Sequence, residues 1–172
     1  METRQICSLI PGLTDRQVAQ CVHRPDLALA YADGGQMALN QCRHQFSDSL
    51  WNCTTGINFS SNLNYWMDTS SREAAALTAL RSAGMVYQVA LECNRGNITD
   101  CGCDKQDENM LPGHGSRTWL WGGCVAALNY AARAVREFMK YDEPMDAWNR
   151  MRTIVYRHNR DAGIKVMGNV HA

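Results

Sequence analysis

Apolar residues recur along most of this chain at steps of three and four. Leu27, Tyr31, Gly34, Ala38, Cys42 and Phe46 form one such series, the spacing that places side chains on a single face of an α-helix. Pro25 stands just before it and suits a first helical turn. Upstream, Thr14 with Gln17 forms a capping box and predicts a short, polar-faced helix running to Cys21. Ser70 with Glu73 reads as a second box. Behind it Leu77, Leu80, Gly84, Tyr87 and Leu91, flanked by Ala76, Ala83 and Ala90, predict a helix over 71–92. Gly84 and the alanines on that helix leave room for close helix–helix approach. Leu128, Ala131, Val135 and Phe138 continue the helical spacing after Cys124. Pro144 suits the start of a last helix, with Trp148, Met151, Val155, His158, Ala162 and Val166 along its face. Gly163 weakens that helix by about 1 kcal/mol relative to alanine.

Two stretches break the pattern. The polar stretches "SDS" and "TTGINFSSN" after Phe46 read as a loop region that carries Trp51, Cys53 and two sequons. Residues 94–123 are rich in Gly, Cys and polar side chains, with "TWLW" as a short strand and "NITDCGC" as its partner in a small hairpin. Long alternating runs are absent. The expected class is therefore mainly α with a small β-hairpin insertion at 94–123, and residues 1–172 read as a single domain without internal repeat or linker.

Composition narrows the function. At 172 residues the chain is long enough to bury a core without depending on cross-links. Lys plus Arg and Asp plus Glu balance at 17 each, with no run of like charge. That argues against a nucleic-acid footprint and against a polybasic membrane patch. Eight cysteines and three N-x-[S/T] sequons, at Asn52, Asn58 and Asn97, point to an oxidising, secretory compartment. The start, "METRQICSLI", lacks the basic and apolar regions of a leader, so a secreted protein here is expected to be a mature or trimmed piece. No stretch approaches the ~18 apolar residues of a membrane span.

The cysteines at 7, 21, 42, 53, 93, 101, 103 and 124 admit several chemistries. Cys101 and Cys103 are poor partners for each other, because side chains at i and i+2 of an extended segment run side by side and the ring would be strained. Cys93, Cys101, Cys103 and Cys124 could hold a zinc ion, but their intervals of seven, one and twenty residues do not match the usual C-x2–4-C pairs. A redox C-x-x-C is not found. Disulfides remain. Proximity favours Cys42 with Cys53 across a loop and Cys93 with Cys101 across a tip, although eight cysteines allow 105 connectivities. Each small closed loop removes about 2–3 kcal/mol of unfolded-state entropy.

The motifs of zinc proteases, serine hydrolases, P-loops and dinucleotide-binding turns are not found. His158 and Asp161, three apart on a helix, are the one tempting acid–base pair, and a structural histidine is the simpler reading. Trp119 and Trp121 read as hairpin core, with a sugar- or protein-contacting surface as the alternative. No enzyme activity, cofactor or metal is implied.

Several segments, in order and over nearly the whole chain, resemble the Wnt family of secreted signalling proteins. They are "CSLIPGLTDRQVAQC" at 7–21, "NQCRHQF" at 40–46 followed by "LWNCTT" at 50–55, "SREAA" at 71–75, "SAGMV" at 82–86, "CNRGNITDCGCD" at 93–104, "WLWGGC" at 119–124, "REF" at 136–138 and "HNRDAG" at 158–163. The resemblance implies a saposin-like, disulfide-stapled helical domain with a small strand insertion. It implies the pairs Cys42–Cys53, Cys93–Cys101 and Cys103–Cys124, which leaves Cys7 with Cys21. It implies a glycan at Asn52 and at Asn97; Asn58 is a sequon without a family counterpart. It also implies an extracellular ligand that meets Frizzled receptors, LDL-receptor-related co-receptors and carrier proteins.

The sequence departs from the family in places. Ser49 and Leu50 stand where two basic residues usually precede W-N-C, and Arg160 to Ile164 replace the usual N-E-A-G-R. The family's acylated hairpin and cysteine-rich C-terminal domain are expected beyond "VMGNVHA". In the family the acyl chain gives the link to membranes, and with the C-terminal domain it grips Frizzled. A sixteen-carbon chain offers on the order of 10 kcal/mol at about 0.8 per buried CH₂, so this chain is expected to bind Frizzled weakly by those routes. The alternatives are a truncated Wnt-like module that binds co-receptors or carriers without activating Frizzled, and a secreted, disulfide-rich lipase-like enzyme.

Overall fold

A computed structural model describes residues 3–9, 13–51, 53, 71–101, 125–143 and 150–170. Among them lie six α-helices: α1 (Thr3–Ser8), α2 (Asp15–His23), α3 (Pro25–Gln45), α4 (Arg72–Asn94), α5 (Val125–Met139) and α6 (Arg150–Val170), with a 3-10 turn at Lys140–Asp142 after α5. The described residues are thus mainly helical. Residues 97–101, expected as half of a hairpin, form turns and bends instead. The rest of that insertion, 102–123, falls outside the described residues, as does Pro144.

Helix α2 starts where the capping box places it. Thr14 Oγ1 accepts the Gln17 backbone N–H, and the Thr14 N–H donates to Gln17 Oε1 at 2.9 Å. Helix α3 follows after one residue, with Pro25 as its first helical residue. The start of α4 corrects the sequence reading by one position. Ser71, not Ser70, is the N-cap, and its hydroxyl accepts from the Ala74 N–H at 3.1 Å. In this register Glu73 sits inside the first turn, where its charge opposes the positive end of the helix dipole without closing a box.

Helix α4 is central, with α3, α5 and α6 packed on it. Helices α3 and α4 run antiparallel: Leu39 and Cys42 meet Leu77 at one end, while Leu27, Ala30 and Tyr31 share a core with Met85, Val86 and Val89 at the other. Midway, Gly34 and Gly84 touch backbone to backbone. A Cβ on Gly34 would come within 2.5 Å of Gly84 O, and a Cβ on Gly84 would collide with Gly34 O. Helix α6 runs parallel to α4, with Gly163 over the backbone of Ala79 and the hydroxyl of Ser82. Ser82 Oγ lies 2.8 Å from Arg160 O and 2.9 Å from Ala79 O, both within reach of its single proton. Tyr31 and Phe138 stack between α3 and α5 with ring centroids 4.3 Å apart.

The burial pattern revises two helix faces. Because α4 is covered on several sides, its fully buried apolar residues are Met85, Val86 and Val89, between and beside the predicted stripe, of which Leu77 is buried while Tyr87 is exposed. On α6 the packed residues are Tyr156, Arg160, Gly163 and Ile164. Trp148 lies outside the described residues, and the rest of the predicted stripe faces out: Met151 is 69% and Val166 56% exposed, with His158 and Ala162 also exposed. The close approach at Gly163 sets this rotation, since only a residue without a side chain fits against Ala79. On α5, Ala131, Val135 and Phe138 are buried as their spacing predicts, and Leu128 is partly so.

Two glycines of α6 therefore respond in opposite directions to the same change. Gly163→Ala drives a methyl into backbone and is expected to cost about 1–3 kcal/mol, overpacking outweighing helix propensity. Gly168→Ala meets open space and should be neutral or stabilising by up to about 1 kcal/mol. Urea unfolding of both variants checks this; equal shifts would contradict the packing described.

Candidate functional site

The chemistry-bearing residues gather in three places. The first is the loop that closes α4. After Asn94 the chain reverses at Gly96, whose φ of 78° is readily reached only without a side chain. The N–H groups of Asn97 and Ile98 both turn back to Glu92 O, at 3.0 and 3.4 Å. Ile98 and Cys101 are buried in the main core, while Asn97 and Thr99, on either side of Ile98, are exposed. The sequon is thus held outward by an anchor in its middle. Cys93 is bonded to Cys101, with Cα atoms 5.9 Å apart.

Glu92 organises the surface of this loop. Its carboxylate accepts from the Asn97 side-chain amide and from Arg95 Nη1 at 2.9 Å. The Asn97 bond, joined by Arg95, holds it below its ordinary value against the opposing cost of desolvation. Arg24 ties the loop to α3, pairing with Asp100 at 2.8 Å and with Asp26 at 2.9 Å. The Arg24 bond likewise holds the Asp26 carboxyl below its ordinary pKa, and the Arg24 guanidinium is in turn shifted further up.

The other two bonds lie elsewhere. Cys7–Cys21 fastens α1 to α2 with Cα atoms 5.9 Å apart, and Cys42–Cys53 closes the end of α3 at 6.1 Å. Cys42, Cys53, Leu39 and Leu77 form a second small core that includes Phe46 and Trp51. Asn52, Asn58, Cys103, Cys124, Trp119 and Trp121 are outside the described residues. Among the described residues no group of His, Cys, Asp and Glu is arranged to hold a metal, and no helix is long and apolar enough to cross a membrane.

The second place is a buried polar knot around the 3-10 turn, which the sequence reading missed. Gln17, completely buried, donates from Nε2 to Phe138 O at 3.2 Å and to Asp142 Oδ1 at 2.7 Å. Asp142 also pairs with buried Arg81 at 2.9 Å. Beside it Glu143 pairs with buried Arg160 at 3.0 Å and with exposed Arg157 at 2.6 Å. Tyr156 donates to Met139 O at 3.1 Å, and burial holds its phenol in the protonated form. Every charge here has an opposite partner, so the knot fixes α2, α4 and α6 on the end of α5 rather than presenting a reactive group. Polar residues at helical positions ordinarily read as solvent-facing, and nothing in their spacing marks these as buried.

His158 and Asp161 do not form an acid–base pair. His158 is exposed, and the Asp161 carboxylate is taken by Arg160 at 3.1 Å and Arg136 at 3.2 Å. The third place is the outward apolar face of α6, where Met151, Ile154, Val155 and Val166 lie at helical spacing. Large apolar side chains left exposed along one helix are candidates for contact with another macromolecule.

A family model described as the Wnt family matches residues 9–171. Protein Wnt-2 of Drosophila melanogaster is similar at 37% identity over 160 residues, which is 92% of this chain and 44% of that relative's length. The chain thus spans less than half of the curated relative it matches.

Two measurements probe these sites. Asp142→Ala removes the acceptor shared by Gln17 and Arg81 and is expected to lose about 3–5 kcal/mol of stability. Arg157→Ala, on the solvent side of Glu143, should leave the unfolding midpoint unchanged within error. Equal effects would show that the knot is not buried. For pH, the depressed Asp26 carboxyl contributes stability that is complete above its unfolded pKa, about 3.9, and is lost as pH falls through the lower folded value. The melting-temperature gap between wild type and Asp26→Asn should therefore be constant above about pH 5 and shrink below about pH 4; a gap that widens on acidification would contradict the pairing.

Proposed function

This chain belongs to the Wnt family, and from that premise we propose that it forms the helical amino-terminal half of an extracellular Wnt-type signalling ligand. Family proteins are secreted developmental signals rather than enzymes. The observation that carries the reading is the continuous family match over 9–171, laid on a helical body closed by disulfides. On this reading residues 1–172 are one saposin-like domain, with a small hairpin insertion within 94–123. Cys103 pairs with Cys124 and fastens that insertion to α5. Asn52 and Asn97 carry N-linked glycans, and Asn58 offers a further acceptor. The longer protein binds Frizzled through parts outside this chain, which also supply its lipid link to membranes. LDL-receptor-related co-receptors and carrier proteins meet the helical half. Nucleic acid has no role.

The exposed apolar face of α6 supports a second reading, in which this chain alone occupies a co-receptor without engaging Frizzled. Few interface residues carry most of an interaction, and central apolar anchors are typical of them. Ile154 and Val166 fit that role because they are large, apolar and exposed.

Both readings meet one experiment. The chain, secreted from animal cells with its disulfides intact, is titrated against immobilised co-receptor and Frizzled ectodomains. Saturable co-receptor binding is expected, weakened about tenfold or more by Ile154→Lys with Val166→Lys, with no saturable binding to Frizzled. Binding to Frizzled but not to the co-receptor would overturn the assignment of this half.

A further inference from the structure

Beside the sequon loop, the first turns of α3 and the end of α4 enclose an open pocket of about 300 Å³. Its floor is apolar, made by buried Ala30 and Ile98, and Leu29 stands at its edge 65% exposed. Asp33 and Glu92 bring carboxylate acceptors to its walls, and the side chain of Asn97 itself lines it. The volume lies at the small end of pockets that hold one small molecule, about 300–1,000 Å³. A large exposed aliphatic side chain beside an apolar floor and paired acceptors matches an amphipathic ring with donor groups on its rim.

We propose that this pocket seats the first N-acetylglucosamine of a glycan on Asn97, so that the sugar covers Leu29 and braces α3 against the end of α4. The proposal rests on the reading that Asn97 is glycosylated. The acetyl methyl and the C–H face of the ring cover Leu29 and the floor, while the hydroxyls and acetamido N–H donate to Asp33 and Glu92. Glycosylation leaves one proton on Asn97 Nδ2, enough to keep a bond to Glu92. Covalent attachment also matters. A tethered sugar is presented at an effective concentration in the millimolar range or above, so contacts too weak to capture a free monosaccharide suffice. A basic peptide would find the carboxylates but would leave Leu29, 65% exposed, without an apolar cover.

The test uses the secreted chain, its glycans trimmed enzymatically to a single N-acetylglucosamine, with intact-mass and peptide analysis to read occupancy at Asn97. Thr99→Ala removes the sequon while leaving Asn97 and its bond to Glu92 in place. Leu29→Gln keeps the sequon and removes the apolar edge. Nuclear Overhauser contacts are expected between the sugar acetyl methyl and the Leu29 methyls. The glycosylated chain should melt about 2–4 °C above Thr99→Ala, and Leu29→Gln should close most of that gap. An occupied Asn97 whose sugar shows no contact with Leu29 and no melting difference overturns the seat but not the glycan. An unoccupied Asn97 overturns both.

Discussion

The arrangement depends on how closely three helix backbones approach one another. Helix α4 meets α3 at Gly34 and Gly84, where each glycine faces the other's carbonyl, and meets α6 at Gly163 over Ala79. Contacts this close permit no Cβ, so they fix both the axial register and the rotation of the neighbours. Once α4 is seated, Met85, Val86 and Val89 are enclosed from several sides, and the core closes around them. The Cys93–Cys101 bond and buried Ile98 then fold the chain back over the end of α4.

Close packing at the centre moves specificity to polar groups at the end of α5. Asp142 and Glu143 accept from residues on α2, α4 and α6. A buried ion pair contributes little net stability against an apolar substitute. Its partners do have to coincide, however, and three helices reaching one short turn leave few alternative packings. The groups so used are compensated and closed off from solvent. Among the described residues, the sequon loop, the pocket beside it and the exposed apolar side chains of α6 are open to recognition.

Much of this was legible in the sequence, for identifiable reasons. The Thr14–Gln17 box is local and self-contained, so α2 begins where it says. Helix α5 has one side in the core, and the 128–131–135–138 spacing reports that side directly. Helix α4 offered no such single face: a helix covered on several sides has apolar residues all round, and a stripe drawn through 77–80–84–87–91 is one edge of a wider surface. Helix α6 misled for a different reason. Its packed side is built from Tyr156, Arg160, Gly163 and Ile164, of which Arg160 and Gly163 read as polar and as a defect, whereas its more regular apolar stripe lies outside. The buried knot had no signal either, because a paired glutamine, arginine or aspartate looks like a surface residue until its partners are in place.

Family membership and physical reading converge on a helical body whose cross-links lie at the ends of its helices. The disulfide map of the secreted chain, read by mass spectrometry of unreduced peptides, tests that account most directly. It predicts Cys7–Cys21, Cys42–Cys53 and Cys93–Cys101 as linked peptides, with Cys103 joined to Cys124. Free thiols throughout, bound zinc, or a direct Cys101–Cys103 bond would contradict it.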